Sequence, residues 1–311
     1  MVNRVKTFIK NLYSRLSRPF ILLLQGIKPP GFKGASLHEI GVIFLGYVLK
    51  PRFGLYAGAL SFNFFIALFP SIIFLFTLVA YVPIEHLDTQ VLEIMEKFMP
   101  DSAFEMLSAT VADIIRIQRG GLLSFGFISA LFFASNGFYN MIIAFDSSLE
   151  SDIRRERNYF TKWFTSIMLT FLVSLLLILS IVVLIASGYI SIQMSQWGID
   201  RDYMNTIRKV VEVITLSGLV FFIISFIYYL APSHKIKWQL FSPGSIVATT
   251  LSLLSTYLFT SYVNNFNTYN KLYGSIGAIV AIMLLIYVNV YAILTGFELN
   301  HSINKASHTK S

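Results

Sequence analysis

The chain has 311 residues, of which 55% are hydrophobic and only 13% charged, with a net charge of +8 and a mean hydropathy of +0.67. A soluble domain carries about 25% charged residues, so the polar surface needed to dissolve this much apolar mass is missing, and a wholly water-soluble protein is excluded. There is no cysteine, which excludes disulfides, thiol nucleophiles and thiolate metal ligands.

The first 52 residues read as an N-terminal arm. Its apolar stretches, 19–27 and 40–49, have 9 and 10 residues, too few for a crossing that takes about 20. Ile9, Leu12, Tyr13 and Leu16 form a helical stripe among Arg4, Lys6, Lys10, Arg15 and Arg18, the pattern of a helix lying on a membrane surface. A solvated basic tail is the alternative. A cleaved signal fits worse, because Pro19–Gln25 is a short apolar core with no small-x-small site after it.

Six windows lack Asp, Glu, Lys and Arg: 53–84, 120–145, 163–199, 213–234, 238–270 and 272–297. They predict an all-α bundle of six transmembrane spans near 56–82, 122–145, 164–189, 212–231, 243–263 and 275–297. The membrane domain is then 53–300, and 301–311 is a tail. The one long loop, about 83–121, holds seven acids against three bases. Two apolar runs lie in it, Leu87–Phe98 and Phe104–Gln118, parted by Pro100, and Ser102 with Glu105 reads as a capping box for the second. They predict an amphipathic pair over the outer mouth. Lysines and arginines number 17 on one set of alternate segments and 7 on the other, which places both termini in the cytoplasm. The basic balance is therefore a topology and headgroup signal, and nucleic acid is not an expected partner.

Several runs carry a resemblance. Ala57-Gly-Ala-Leu-Ser61 with Ala67-Leu-Phe-Pro70, Ala134-Ser-Asn136, Ala144-Phe145, Glu156-Arg157 and Ser242-Pro-Gly244 stand in collinear order. Tyr262-Val-Asn-Asn-Phe266, Tyr269-Asn270, Tyr273-Gly-Ser275, Gly277 and Gly296-Phe-Glu-Leu-Asn300 follow them. Together they resemble the YihY/virulence factor BrkB family of bacterial inner-membrane proteins, once labelled ribonuclease BN. The likeness runs over about residues 35–305. It implies six spans, the inner membrane, and a transporter-like role toward lipids of the envelope.

Polar residues inside spans face a bundle interior or a cavity, because lipid offers them no partner. Asn63 and Pro70 in span one, and Asn136 and Asn140 on one face of span two, are candidates for a substrate pathway; close packing is the other reading. Ser245, Thr249, Ser252 and Thr256 in span five read as a packing stripe. Tyr287, Tyr291, Thr295 and Glu298 form a stripe down span six, and Glu298 stands on the same side as Arg154, Arg155 and Arg157. Either it pairs with one of them as a gate or it is a solvated helix end. Asn264, Asn265, Tyr269, Asn270, Lys271 and Tyr273, between spans five and six, are candidates for headgroup contact.

Enzymatic readings find no residues. His38, His86, His234, His301 and His308 show no metal-ligand spacing, Asp200-Arg-Asp202 falls in a short outer loop, and no Walker loop is present. The expectation is a non-enzymatic membrane protein without cofactor or metal, handling a lipid or amphiphile. The alternative is a structural envelope protein that binds other envelope proteins. The sequence leaves the oligomeric state open.

Overall fold

The computed structural model describes residues 25–29, 31–82, 89, 91–92, 101–148, 157–196, 201–233, 241–265 and 267–308. Among these there are eight helices: α1 (Leu37–Val48), α2 (Pro51–Val79), α3 (Asp101–Arg116), α4 (Gly120–Ser148), α5 (Tyr159–Gln196), α6 (Arg201–Leu230), α7 (Pro243–Asn265) and α8 (Asn267–His308). Five stretches are long and apolar enough to cross a membrane: Pro51–Val79, Gly120–Ser148, Tyr159–Leu184, Tyr203–Leu230 and Ile279–Ser307. The predicted span at 243–263 is also a helix, α7, though it is not among those five stretches of the described residues. The basic arm up to residue 24, nearly all of the first amphipathic run, and Arg154 and Arg155 lie outside the described residues.

Local chemistry sets the helix starts. Ser36 caps α1 through its hydroxyl on the Glu39 N–H, and the Glu39 carboxylate returns a bond to the Ser36 N–H. Pro51 and Pro243 open α2 and α7, where a missing N–H costs nothing. Ser242 and Ser245 cap α7 reciprocally, each accepting the other's backbone N–H at 3.1 Å. The helix with the expected capping box at Ser102 begins at Asp101, and the side chains of Ser102 and Glu105 lie outside the described structure. The amphipathic register of α3 does appear: Val111 and Ile115 are buried where α3 packs on α2.

The long helices close a ring in chain order. α2 packs on α4, α4 on α5, α5 on α6, α6 on α7, α7 on α8, and α8 returns to α2. We call the end carrying Pro51, Ser148, Tyr159, Leu230 and Pro243 basal, and the other distal. The core lies in the basal half, where Phe53, Leu60, Met141, Phe145, Leu169, Tyr228 and Phe297 pack together. Phe145 and Phe297 stack at 3.9 Å with planes 4° apart. Among the described residues, the distal part of α6 is looser. Six consecutive residues of α6, Asn205–Val210, are all exposed, which means that the helix touches little around its whole circumference there.

At the basal end α8 continues past the ring. Ile303 and Ala306 pack under Ala35 and Ile40 of the α1 segment, and Lys33 donates to the Asn304 side chain. α1 is thereby fixed beneath the ring, with Val42, Leu45 and its C-cap residue Leu49 exposed.

Candidate functional site

A pocket of about 220 Å³ opens at the basal end, where the α1–α2 junction meets the end of α4 and the Leu294–Glu298 stretch of α8. Lys50, Arg52 and Tyr56 come from the first turns of α2, Tyr47 from α1, Ser147 and Ser148 from the last turn of α4, and Glu298 from α8. Lys50 and Arg52 are exposed at the rim. Glu298 is 3% exposed. Its polar neighbours are Ser148 and Lys50, and its Oε2 has no hydrogen-bond partner. A buried acceptor without a donor costs about 1–3 kcal/mol, more when charged.

Glu298 is placed by two features of α8. One residue before it, Phe297 is locked in the stack on Phe145. Two residues before it, Gly296 lies against Gly244, so closely that a Cβ on either would enter the other's backbone. Asn300 holds this crossing: its Oδ1 accepts the Gly244 N–H at 2.8 Å and its Nδ2 donates to Ser242 Oγ at 2.7 Å. Tyr228 of α6 donates from its hydroxyl to the Ile293 carbonyl at 2.5 Å. The Ser242–Gly244 and Gly296–Asn300 runs, far apart in sequence, thus form one joint.

A second polar centre lies beside it. Asp146 is 2% exposed, accepts the Ser233 N–H at 2.9 Å and the Ser233 hydroxyl at 2.5 Å, and pairs with Lys162 at 3.0 Å. It ties the end of α4 to the start of α5 and the exit of α6.

The predicted residues fall in different places. Tyr291 packs edge-on against Phe53 at 4.8 Å, and the Tyr287 hydroxyl faces Gly54, so this stripe seals the α2–α8 seam above the pocket. Pro70 is half-buried inside α2, which runs unbroken through it. Asn63 is half-buried, next to Phe64, whose ring packs on Phe138. Asn136 is exposed and Asn140 half-buried on the face of α4 opposite Phe138, Met141 and Phe145. Asn140 Nδ2 donates to the Asn136 carbonyl at 3.0 Å. Those two asparagines therefore point out of the bundle. In α7, Ser245, Thr249 and Ser252 are buried, and Thr256 accepts from Asn289 at 3.3 Å.

Arg157 is turned to the Leu230 carbonyl at 3.2 Å, where it caps the end of α6; the cation beside Glu298 is Lys50. Asn264 and Asn265 end α7 and Tyr269, Asn270, Lys271 and Tyr273 begin α8, with only residue 266 between the two helices; the orientation of those side chains lies outside the described structure. Sequence reasoning missed Asp146, Lys162, Ser233 and the pocket role of Lys50 and Arg52. Asp146 had a signal, as the acid that ends the charge-free window at Phe145.

The family model described as virulence factor BrkB matches residues 47–311. YfkH of Bacillus subtilis, whose name describes it as ribonuclease-like, is 29% identical over 246 residues, 79% of this chain and 88% of YfkH. The UPF0761 membrane protein IL2447 of Idiomarina loihiensis is 31% identical over 127 residues, 40% of this chain and 44% of that protein. Smlt0865 of Stenotrophomonas maltophilia, also a UPF0761 membrane protein, is 31% identical over 83 residues, 27% of this chain and 20% of its own length. No solved structure matches. The family match begins at Tyr47 and takes in every residue of the pocket, and the chain belongs to the virulence factor BrkB family of membrane proteins.

Proposed function

We infer that this chain is a six-span, transporter-like protein of the bacterial cytoplasmic membrane that handles a lipid or amphiphile of the envelope. The observation that carries the reading is the asymmetry of the ring. It is packed shut at the basal end over a polar pocket with a buried carboxylate, whereas Asn205–Val210 of α6, toward the distal end, are all exposed. Such a shape suits a path held closed on one side, with an ionisable group at the closure. α7 supplies the sixth crossing in this reading: its 23 residues give about 34 Å at 1.5 Å per residue, enough for a core of about 30 Å. The amphipathic segment at α3 covers part of the distal mouth. No catalytic role belongs to this reading, and nothing hydrolytic is carried over from the name of YfkH.

The expected test is lipid movement in liposomes holding the purified chain. Acyl-labelled phospholipid should become accessible to an external quencher faster than in empty vesicles, and Glu298→Gln should slow it. Movement no faster than in empty vesicles would favour the second reading, an envelope protein that binds partners. The outward Asn136–Asn140 pair favours that second reading, because amides facing lipid gain most from a neighbouring helix.

Orientation is tested separately. With the basal end cytoplasmic, Ser311→Cys should resist an impermeant thiol reagent in intact cells and Ser102→Cys should react. The reverse pattern would invert the topology.

A further inference from the structure

The basal pocket presents two requirements that a simple ligand cannot meet together. Lys50 and Arg52 stand at the N-terminus of α2, where no side chain caps the first turn. Helix polarity and two cations both call for an anion there. Glu298 lines the same pocket, is 3% exposed, and keeps Oε2 without a donor. Among the described residues no ion pair reaches it. An inorganic anion would meet the cations and be repelled by the carboxylate. A simple amine would meet the carboxylate and be repelled by Lys50 and Arg52.

We propose that the pocket binds a phosphodiester joined to a primary ammonium, the chemistry of a phosphoethanolamine headgroup, with the phosphate at Lys50 and Arg52 and the ammonium at Glu298. This rests on the lipid-handling reading above and narrows it. The acceptor left open on Glu298 needs an N–H, which a primary ammonium has and a quaternary one lacks. A quaternary ammonium would need an open aromatic cage instead. Tyr47 does not offer one, because Lys50 Nζ lies 4.3 Å from its ring centroid and Lys305 Nζ 5.7 Å.

The same chemistry exists in a lipid and in free glycerophosphoethanolamine, and the surroundings favour the lipid. The volume, about 220 Å³, is below the ~300–1,000 Å³ of sites that enclose whole drug-sized ligands, so it suits a headgroup whose chains stay outside. Val42 and Leu45 of α1 with Leu49 at its C-cap form an exposed apolar stripe, and Leu55 of α2 is 72% exposed. These residues flank the pocket with surface for acyl chains, as on an interfacial helix.

The test uses the purified full chain in dodecyl maltoside with acyl-labelled phosphatidylethanolamine, phosphatidylglycerol and phosphatidylcholine, read by fluorescence anisotropy. Phosphatidylethanolamine should bind about tenfold tighter than either of the others, the worth of one charge-assisted hydrogen bond. Glu298→Gln should erase its preference over phosphatidylglycerol. Lys50→Gln with Arg52→Gln, both at exposed positions, should weaken all three lipids. Equal binding of the three by the unaltered chain overturns the proposal without reliance on any variant, and so does a preference that survives Glu298→Gln. Competition by glycerophosphoethanolamine at the same concentration as the lipid would keep the ligand chemistry and overturn the lipid source. Selective binding without lipid movement in liposomes would sink transport and leave this site standing. Movement of lipids regardless of headgroup, with no selective binding, would do the opposite.

Discussion

Adding one methyl group at Gly296 should unfold the basal half of the bundle, whereas the same methyl at Gly218 should be tolerated. Alanine is the better helix former by about 0.8–1.0 kcal/mol, so propensity alone predicts that both changes stabilise. Packing reverses the sign at one of them. A Cβ on Gly296 would run into the Gly244 carbonyl oxygen, come within 2.5 Å of the Tyr228 hydroxyl and within 2.7 Å of the Ala248 Cβ. Two of these obstacles are backbone or a short fixed side chain, so relief requires α7 and α8 to separate. Separation also removes the Asn300 bond to the Gly244 N–H, and displacing the Tyr228 hydroxyl breaks its bond to the Ile293 carbonyl. Overpacking of this kind costs about 3 kcal/mol. Gly218 has nothing within 4 Å of its Cβ position and keeps the propensity gain. Gly244→Ala should behave like Gly296→Ala, because its Cβ would meet the Gly296 carbonyl and the Asn300 side chain. The double variant should cost little more than either single one, since the helices are already apart. Thermal melting in detergent gives the comparison. A Gly296→Ala variant as stable as Gly218→Ala would mean that the two helices are not in contact there.

That joint also shows what the sequence made legible and what it hid. The charge-free windows located the apolar helices, since a helix in lipid needs a long uncharged run. They gave span limits, which are not helix ends. Span six was expected to stop at 297, before Glu298, but α8 runs to His308 because α1 covers Ile303 and Ala306. Hydropathy reports where lipid stops; neighbouring helices decide where the helix stops. The inward faces were the harder problem. Periodicity identifies a buried face only when the other face is polar, and α4 is apolar nearly all round. Asn136 and Asn140 were therefore natural candidates for the interior, and the structure turns them outward. Glu298 was found because acids near spans are rare. Its neighbour was not, because Lys50 lies about 250 residues earlier in the chain, where charge counting had used it only for topology.

Asp146→Ala should be the most damaging loss of a single charge in the described structure, at about 3–5 kcal/mol, the cost of stripping one partner from a buried pair. Asp146 serves three donors at once: the Lys162 ammonium, the Ser233 N–H and the Ser233 hydroxyl. Its removal orphans a backbone N–H in a buried turn as well as a cation. Lys162→Met should cost less, about 1–3 kcal/mol, because both Ser233 bonds to the carboxylate survive. Ser233→Ala removes the hydroxyl bond alone and should cost about 1 kcal/mol. The decisive measurement is a double-mutant cycle on melting in detergent across Asp146 and Lys162. Lys162 has 13% of its side chain exposed and Asp146 has 2%, so water and salt screen the pair weakly. Its coupling should reach about 1–3 kcal/mol and change little between low and high salt. Coupling near zero would reduce Asp146 to an acceptor for Ser233, with Lys162 solvated beside it. Strong coupling would make this pair the fastener that holds the start of α5 and the exit of α6 to the end of α4. Ser147 and Ser148 of the pocket follow Asp146 directly in the chain, so loosening the fastener should also weaken ligand binding at Glu298.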